Sequence, residues 1–394
     1  MDNLTHSLAG AALGAAGLRR LTPLATPTLV VAANAPDIDA FIYAVRDPYY
    51  ALAFRRGITH GPLAMALLPF VVAGGILAWD RWVRRRRDPA AEPARAWPII
   101  FLALIGGLTH PALDWMNTYG IRLLAPFSME WFYGDALFII DPWLWLALGA
   151  AVFLGLAPRG RALLAWTVLA AAASALVLAT SLVPPAAKAA WVAGIAAITL
   201  MYRVTGLRRD AMAVGARHGT MDRMERSTPR VPRDATTTAA RWALGIAVAY
   251  TLFMVVSDRA ATRRVHEVAR ELGIGPIEAV MVAPVPADPF RGDVVVETPT
   301  AYHLGAFDWF GEPRVRIGED SIPIAAPVPA GEAAAHVADA RNFLVWSRFP
   351  TFRIAESPDG YTVRIGDARY VGMGDGGLGG LVVRLDRELR PIER

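Results

Sequence analysis

The chain has 394 residues, 54% hydrophobic and only 19% charged, with a mean hydropathy of +0.34. That composition excludes an ordinary soluble domain, and the apolar excess between about residues 60 and 257 points to a polytopic membrane protein. The absence of cysteine excludes disulfides and thiolate metal sites, and the net charge of +5 sits in loops, where it reads as a topology signal before a nucleic-acid one.

Residues 4–18, "LTHSLAGAALGAAGL", predict a short apolar helix ending at Arg19 and Arg20. Its 15 residues are too few for an ordinary span. Residues 24–44 are also apolar but carry prolines and two aspartates, so the two stretches predict a hairpin dipping into the bilayer. No basic n-region or cleavage site marks a removable signal peptide. Six longer candidates follow at 62–82, 98–118, 136–157, 162–183, 188–204 and 240–257, each near the ~20 residues that cross a hydrocarbon core. Pro62 and Pro98 fit the first turns of their helices.

The Arg-rich stretches, with Arg19 and Arg20, "RWVRRRRDPAAEPAR" (81–95), "PRGR" (158–161) and 203–241, fall in alternate loops. The other loops hold Arg46, Arg55, Arg56, Arg122 and Lys188. The positive-inside rule then puts the Arg-rich set in the cytoplasm and both termini outside. From about residue 262 apolar runs shorten to strand length, as in "DVVVET" (293–298), "PRVRIG" (313–318), "YTVRIG" (361–366) and "LVVRLD" (381–386). The expected fold is mainly α, a polytopic helical membrane domain of about six to eight membrane segments, with a C-terminal α+β or mostly β soluble domain. Residues 1–200 form the membrane-embedded domain. Residues 201–261 form a basic cytoplasmic loop plus the last transmembrane helix, and 262–394 an extracytoplasmic domain.

Three of the seven histidines follow threonine: His6 in "NLTHSLAG", His60 in "RRGITHGPLA" and His110 in "GGLTHPALDW". Asp37 and Asp39 lie between the first two, in "NAPDIDAF". Singly, these read as helix caps, turn formers or hydrogen-bonded polar groups. His110 and Asp114 stand out, because an i, i+4 pair shares a helix face and an Asp at a membrane helix centre costs roughly 2.5–3.5 kcal/mol. The arginine-derived topology brings all six groups to the outer end of their segments. Three imidazoles and three carboxylates form an N/O ligand set for a divalent metal, with zinc expected and manganese or iron as alternatives. A metal there would make hydroxide available near neutral pH, with Asp39 or Asp114 as general base. Arg56, beside Arg55, and Asn117 are candidate substrate-binding residues, with headgroup anchoring as the other reading of the arginines. Asp135 is a candidate further ligand or a helix cap.

"LTHSLAGAALG", "APDIDAF", "RGITHGPL", "GGLTHPALDWMNTYGIRLLAPFS" and "WFYGDALFIIDP" together resemble the YdjM-like family of inner-membrane-associated metal-dependent hydrolases over roughly residues 1–200. That family is distantly similar to the zinc-dependent phospholipase C and P1 nuclease superfamily, whose His-x-x-x-Asp pair His110 and Asp114 match. The superfamily's later His-x-x-x-Glu motif has no counterpart here. The resemblance implies a membrane-embedded hydrolase of a phosphoester or other ester, lipid included, working on the extracytoplasmic face of the inner membrane. A second reading is a non-enzymatic scaffold or regulatory protein with a structural metal site. A third is a transporter with a His/Asp proton relay, against which the groups lie near one face rather than at the bilayer midplane. Membrane lipid is the expected partner, nucleic acid is not, and no protein partner is indicated.

Overall fold

A computed structural model describes residues 1–218, 233–324, 328–371 and 377–392. Helices α1 (Asn3–Ala15) and α2 (Ala25–Asn34) form the expected N-terminal hairpin. A run of 3-10 turns over Ala35–Ala44 and the short helix α3 (Pro48–Phe54) follow. Helix α4 (Pro62–Trp79) continues through a π-helical turn at Asp80–Arg84 into a last turn, α5 (Arg85–Arg87). Then come α6 (Ala96–Trp115), α7 (Pro142–Leu156), α8 (Arg161–Ala179), α9 (Pro185–His218) and α10 (Arg233–Glu271).

Among the described residues five helices are long and apolar enough to cross a membrane: Pro62–Arg87, Ala96–Trp115, Arg161–Ala179, Pro185–Thr205 and Thr236–Glu271. The expected span at 136–157 is corrected. Leu137 instead bridges Asn117, and the helix starts only when Asp141 caps it, leaving 15 residues in α7. The expected loop at 203–241 is also corrected, since α9 runs to His218 and α10 begins at Arg233; its centre lies outside the described residues.

The Arg-rich turns gather at one end of the helices. Arg19 donates to the Gly155 carbonyl (3.2 Å), Arg20 to Thr237 Oγ1 (3.0 Å) and Arg241 to the Ala16 carbonyl (2.8 Å). Buried Asp80 accepts from Arg84 and from the Ala94 amide, folding the arginine loop back under α4.

Helix α10, at 39 residues, is about 58 Å long, twice the hydrocarbon thickness. Its last turns leave the span and enter a sheet domain, so the boundary expected at 262 falls inside a helix. Strands β1 (Ala279–Val285), β2 (Asp288–Glu297), β3 (Ala301–Asp308) and β4 (Val315–Pro323) form an antiparallel sheet in that order. Val294 and Val296 of β2 pack with Ala261, Val265 and Ala269 of α10, while Val295 packs on the other face with Met281, Tyr302 and Phe349. Burial on both faces is why β2 reads as an unbroken Val run. Helices α11 (Pro329–Ala335) and α12 (Ala338–Trp346) then cover a second antiparallel sheet of β5 (Pro350–Ser357), β6 (Gly360–Asp367) and β7 (Leu381–Leu385).

That second module packs on α3 and on the loop after α6, with Leu52 and Tyr119 in its core. Arg369 donates to the Thr118 carbonyl (2.6 Å), Trp131 Nε1 to the Val345 carbonyl (2.9 Å) and Tyr49 to the Gly380 carbonyl (3.2 Å). The sheet domain therefore sits at the end of the helices opposite the Arg-rich turns.

Candidate metal centre

Asp2 opens α1 by accepting the Thr5 amide (3.0 Å) and hydroxyl (2.6 Å), and it also takes Trp145 Nε1 (3.2 Å). This capped first turn holds His6 inward. Helix α2 is clamped between α1 and α6 at two glycines. A Cβ on Gly10 or on Gly106 would lie 2.7 Å from the Leu29 carbonyl oxygen. One turn beyond Gly106, the close approach lets His110 Nδ1 donate to the Ala33 carbonyl at 2.7 Å. The chain leaves α2 through the 3-10 turns that carry Asp37 and Asp39, and His60 closes a short turn just before α4.

These elements bring five predicted residues into one buried cluster. His60 Nε2 and His110 Nε2 are 3.1 Å apart, and each is 3.5 Å from Asp114 Oδ2. Asp37 Oδ1 lies 3.8 Å from His110 Nε2 and 3.9 Å from His60 Nε2. His6 stacks on His110 with ring centroids 3.8 Å apart, and its Nε2 is 3.2 Å from Asp114 Oδ1, against which the Met1 amine also lies. Two groups of side chains, His60 with His110 and Asp114, and His6 with Asp37 and His110, each offer ligand atoms within 4.8 Å of one another.

The hydrogen bonds fix the tautomers. His110 Nδ1 must carry the proton it gives to the Ala33 carbonyl, so its Nε2 presents a lone pair. Thr59 Oγ1 donates to Asp39 Oδ2 (3.0 Å) and therefore accepts from His60 Nδ1 (2.9 Å), so His60 Nε2 presents a lone pair too. Burial pulls the His60 pKa below its usual 6.5, which keeps that ring neutral. Asp114 Oδ2 accepts no hydrogen bond, although the Arg56 guanidinium pairs with it at 2.9 Å. Three electron-pair donors thus face one another in a buried space; Arg56 offsets the Asp114 charge, but the two imidazole lone pairs, 3.1 Å apart, repel unless a cation lies between them. A tetrahedral zinc site, with bonds of about 2.0–2.1 Å, spaces its ligand atoms roughly 3.3 Å apart. The observed 3.1, 3.5 and 3.5 Å fit that spacing.

Asp39 is placed differently from the expectation that made it a ligand and base. It lies behind His60, with Oδ2 3.5 Å from Nδ1, and accepts the Arg56 amide (2.9 Å) and the Thr59 hydroxyl. This is the position of a carboxylate that orients a metal-binding imidazole. Asp37 is the more open carboxylate. Burial raises its pKa, but neighbouring His110 and Arg55 outweigh that and hold it below the usual 3.8. Arg55 spans the pair, 2.6 Å from Asp37 and 3.4 Å from Asp39.

Arg56 is buried and adopts a φ of +52°, turning its guanidinium into the cluster, where it donates to Asn117 Oδ1 (2.9 Å) and the Gly120 carbonyl (3.2 Å) and stacks on Tyr119. Asn117 Nδ2 is buried without a partner. Asp135 is not brought to the cluster. Arg348 holds both of its oxygens at 2.8 and 3.0 Å, a pairing across 213 positions that no local pattern announces. Sequence reasoning also missed Ala33, whose carbonyl carries no residue signature, and Thr59, although the recurrent Thr-His pair was visible. The three threonines differ: Thr5 donates to the capping Asp2, Thr59 relays to Asp39 and Thr109 bonds the Gly106 carbonyl.

The uncharacterized protein YfhP of Bacillus subtilis (strain 168) is 26% identical over 162 residues, covering 39% of this chain and 45% of that protein. The match thus spans less than half of the relative's length. No solved structure matches. Residues 1–184, which hold every group of the cluster, match the model of the YdjM inner membrane protein family.

Proposed function

We propose that the protein is a membrane-embedded, metal-dependent hydrolase of a phosphoester or other ester, lipid-derived substrates included. The observation that carries this reading is the set of three inward-facing lone pairs on His60, His110 and Asp114 at metal-ligand spacing. Asp37 stands beside that set, 3.8 and 3.9 Å from the two imidazole nitrogens, and His6, Asp37 and His110 form an alternative grouping that shares the single His110 lone pair. A divalent metal held there, zinc first by donor chemistry, would lower the pKa of water and polarise a phosphoryl or carbonyl oxygen. Asp37 faces the open side, its side chain 6% exposed against 1% for Asp39 and 0% for Asp114, and is the carboxylate placed to accept a proton from an attacking water. Arg55, 20% exposed, offers a cation to the substrate anion, while Arg56 holds Asp114 in place.

The rim supports an amphiphilic substrate. Phe41, Val45 and Ile38 are 76%, 72% and 56% exposed beside Asp37 and Asp39, and their stretch packs on the start of α4, where a span begins. With the Arg-rich turns in the cytoplasm, site and sheet domain face the extracytoplasmic side.

The near-complete burial of His6, His110 and Asp114 favours a second reading, a structural metal in a scaffold protein. Elemental analysis of the full chain in detergent, wild type beside His110→Ala/Asp114→Ala, tests the shared premise. Near-stoichiometric zinc or manganese, lost in the variant, supports the centre. No metal in either protein, even after metal is added back, removes both readings. Metal-stripped protein that keeps its fold and regains phosphodiester cleavage on reloading supports hydrolysis. Unfolding on stripping supports the structural role.

A further inference from the structure

Helix α7 has a second face, turned away from α1 and the metal centre. Helices α9 and α10 both pack on α7 but make at most marginal contact with each other among the described residues. Between them lies an open cavity of about 1470 Å³, above the 300–1,000 Å³ typical of small-molecule pockets. Its walls are apolar, including Leu146 and Leu154 of α7, Ile198 of α9 and Ile246 of α10. Gly194 lets α9 close on α7 at one side of it, since a Cβ there would lie 2.4 Å from Leu146 Cδ2, and Ala190 lies on the same wall.

The mouth is built differently from the walls. Loops of the first sheet reach down to it with Asp288, Arg291 and Asp308, and Trp143 Nε1 donates to the Ala287 carbonyl at 3.1 Å, tying that loop to α7. Phe253 of α10, Phe290 and Phe310 form a ring-on-ring contact along the edge, at centroid distances of 6.4 and 5.0 Å. Arg291 uses its Nε on Asp308 (3.0 Å) while its side chain remains 58% exposed. Asp288 and Asp308 both pair with Arg291, at 3.7 and 3.0 Å, so the lining of the mouth carries two carboxylates around one guanidinium.

We propose that this cavity binds one membrane phospholipid, with its acyl chains between α9 and α10 and its headgroup at the sheet-domain end. The headgroup that matches the mouth is zwitterionic. Its phosphate takes the Arg291 guanidinium, and its ammonium takes Asp288 and Asp308. A bulk-lipid contact needs only apolar walls, whereas this site adds a charge pattern that discriminates between headgroups. The site is separate from the metal centre and does not depend on hydrolysis.

The test is native mass spectrometry of the full chain released from mild detergent. Phosphatidylethanolamine and phosphatidylglycerol with the same acyl chains are supplied in equal amounts. The expected result is one retained phosphatidylethanolamine per chain in preference to phosphatidylglycerol. Ala190→Trp, which fills the cavity from a lipid-exposed position, loses the adduct while keeping the wild-type thermal midpoint. Asp288→Asn/Asp308→Asn keeps a lipid but loses roughly tenfold in its preference for the ethanolamine headgroup, the effect of one charge-assisted hydrogen bond. Three results overturn the proposal: no adduct on wild type, equal retention by Ala190→Trp, or a dimer that Ala190→Trp dissociates, which assigns the groove to a second copy.

Discussion

Asp39 and Asp114 carry the same carboxylate and answer to different neighbours. Asp39 accepts from the Arg56 amide, the Thr59 hydroxyl and Arg55, and it meets the cluster only through the His60 ring. Asp114 keeps Oδ2 free of hydrogen bonds and facing two imidazoles. Asp114→Asn therefore abolishes stoichiometric metal binding, whereas Asp39→Asn keeps the metal and weakens affinity about 10–100-fold, the usual effect of losing an orienting partner. Chelator competition on both variants checks this, and equal losses would refute the division of roles. The clustered residues were legible because ionisable groups in apolar runs are costly and stand out at His6, Asp37, His60, His110 and Asp114. What each carboxylate does was not legible. Asp37 and Asp39 are two positions apart in a tight 3-10 turn, and only the fold decides which faces the cluster. Asp135 read as a further ligand or a helix cap because its partner, Arg348, belongs to a domain much later in the chain.

Helix α2 shows how close packing orients a candidate ligand. Gly10 and Gly106 let its backbone approach from both sides, and that approach delivers the Ala33 carbonyl to His110. Gly106→Ala forces a shift that costs about 1–3 kcal/mol of stability and frees the His110 ring. A lower thermal midpoint together with weaker metal binding is expected, and a variant that loses stability but binds metal normally contradicts the coupling. The second sheet is pinned by a different device, the buried Asp367. It accepts Ser347 Oγ and the Arg348 amide at 2.8 Å and is paired with Arg369 at 2.8 Å. Burial raises its pKa, but Arg369 and these hydrogen bonds outweigh that and hold it below the usual 3.8. Its folded form therefore binds the proton less readily than its unfolded form. The stability it contributes is present above pH 3.8 and is lost as pH falls further, through its folded pKa. Asp367→Asn costs about 3 kcal/mol at neutral pH and flattens the acid limb of the near-ultraviolet circular dichroism titration. An unchanged acid limb in the variant assigns that transition to other carboxylates. Strands β2, β4, β6 and β7 were visible as Val- and Ile-rich runs. Strands β1, β3 and β5 were not, because Pro284, Gly305 and Pro350 interrupt or open them and read locally as turns.

The Arg-rich turns and the metal centre occupy opposite ends of the same helices, an arrangement that follows from strict alternation of chain direction. Helix α1 leaves the cluster at His6 and ends near Arg19, α2 returns, α4 departs from His60 and ends at its arginines, and α6 returns to His110. Helices α7, α8, α9 and α10 repeat the alternation and deliver the sheet domain to the cluster's end, where Arg348 and Arg369 reach the loop after α6. Short helices complicate any count of membrane crossings from length alone, because α1, α2 and α7 are each under the ~20 residues of a full span. Alternation is insensitive to that problem, since a short helix reverses the chain as surely as a long one. Sidedness then rests on the arginines, and the absence of cysteine makes it directly measurable. Asp359→Cys places one thiol on the exposed β5–β6 turn, and Arg86→Cys places one on the arginine end of α4. A membrane-impermeant maleimide applied to intact cells stripped of any outer barrier labels Asp359→Cys at once and Arg86→Cys only after permeabilisation. The reverse pattern places the metal centre in the cytoplasm and turns the substrate search to the inner leaflet. Labelling of both sites without permeabilisation is incompatible with α4 crossing the bilayer, since that single helix separates Arg86 from His60 and the domain packed beside it.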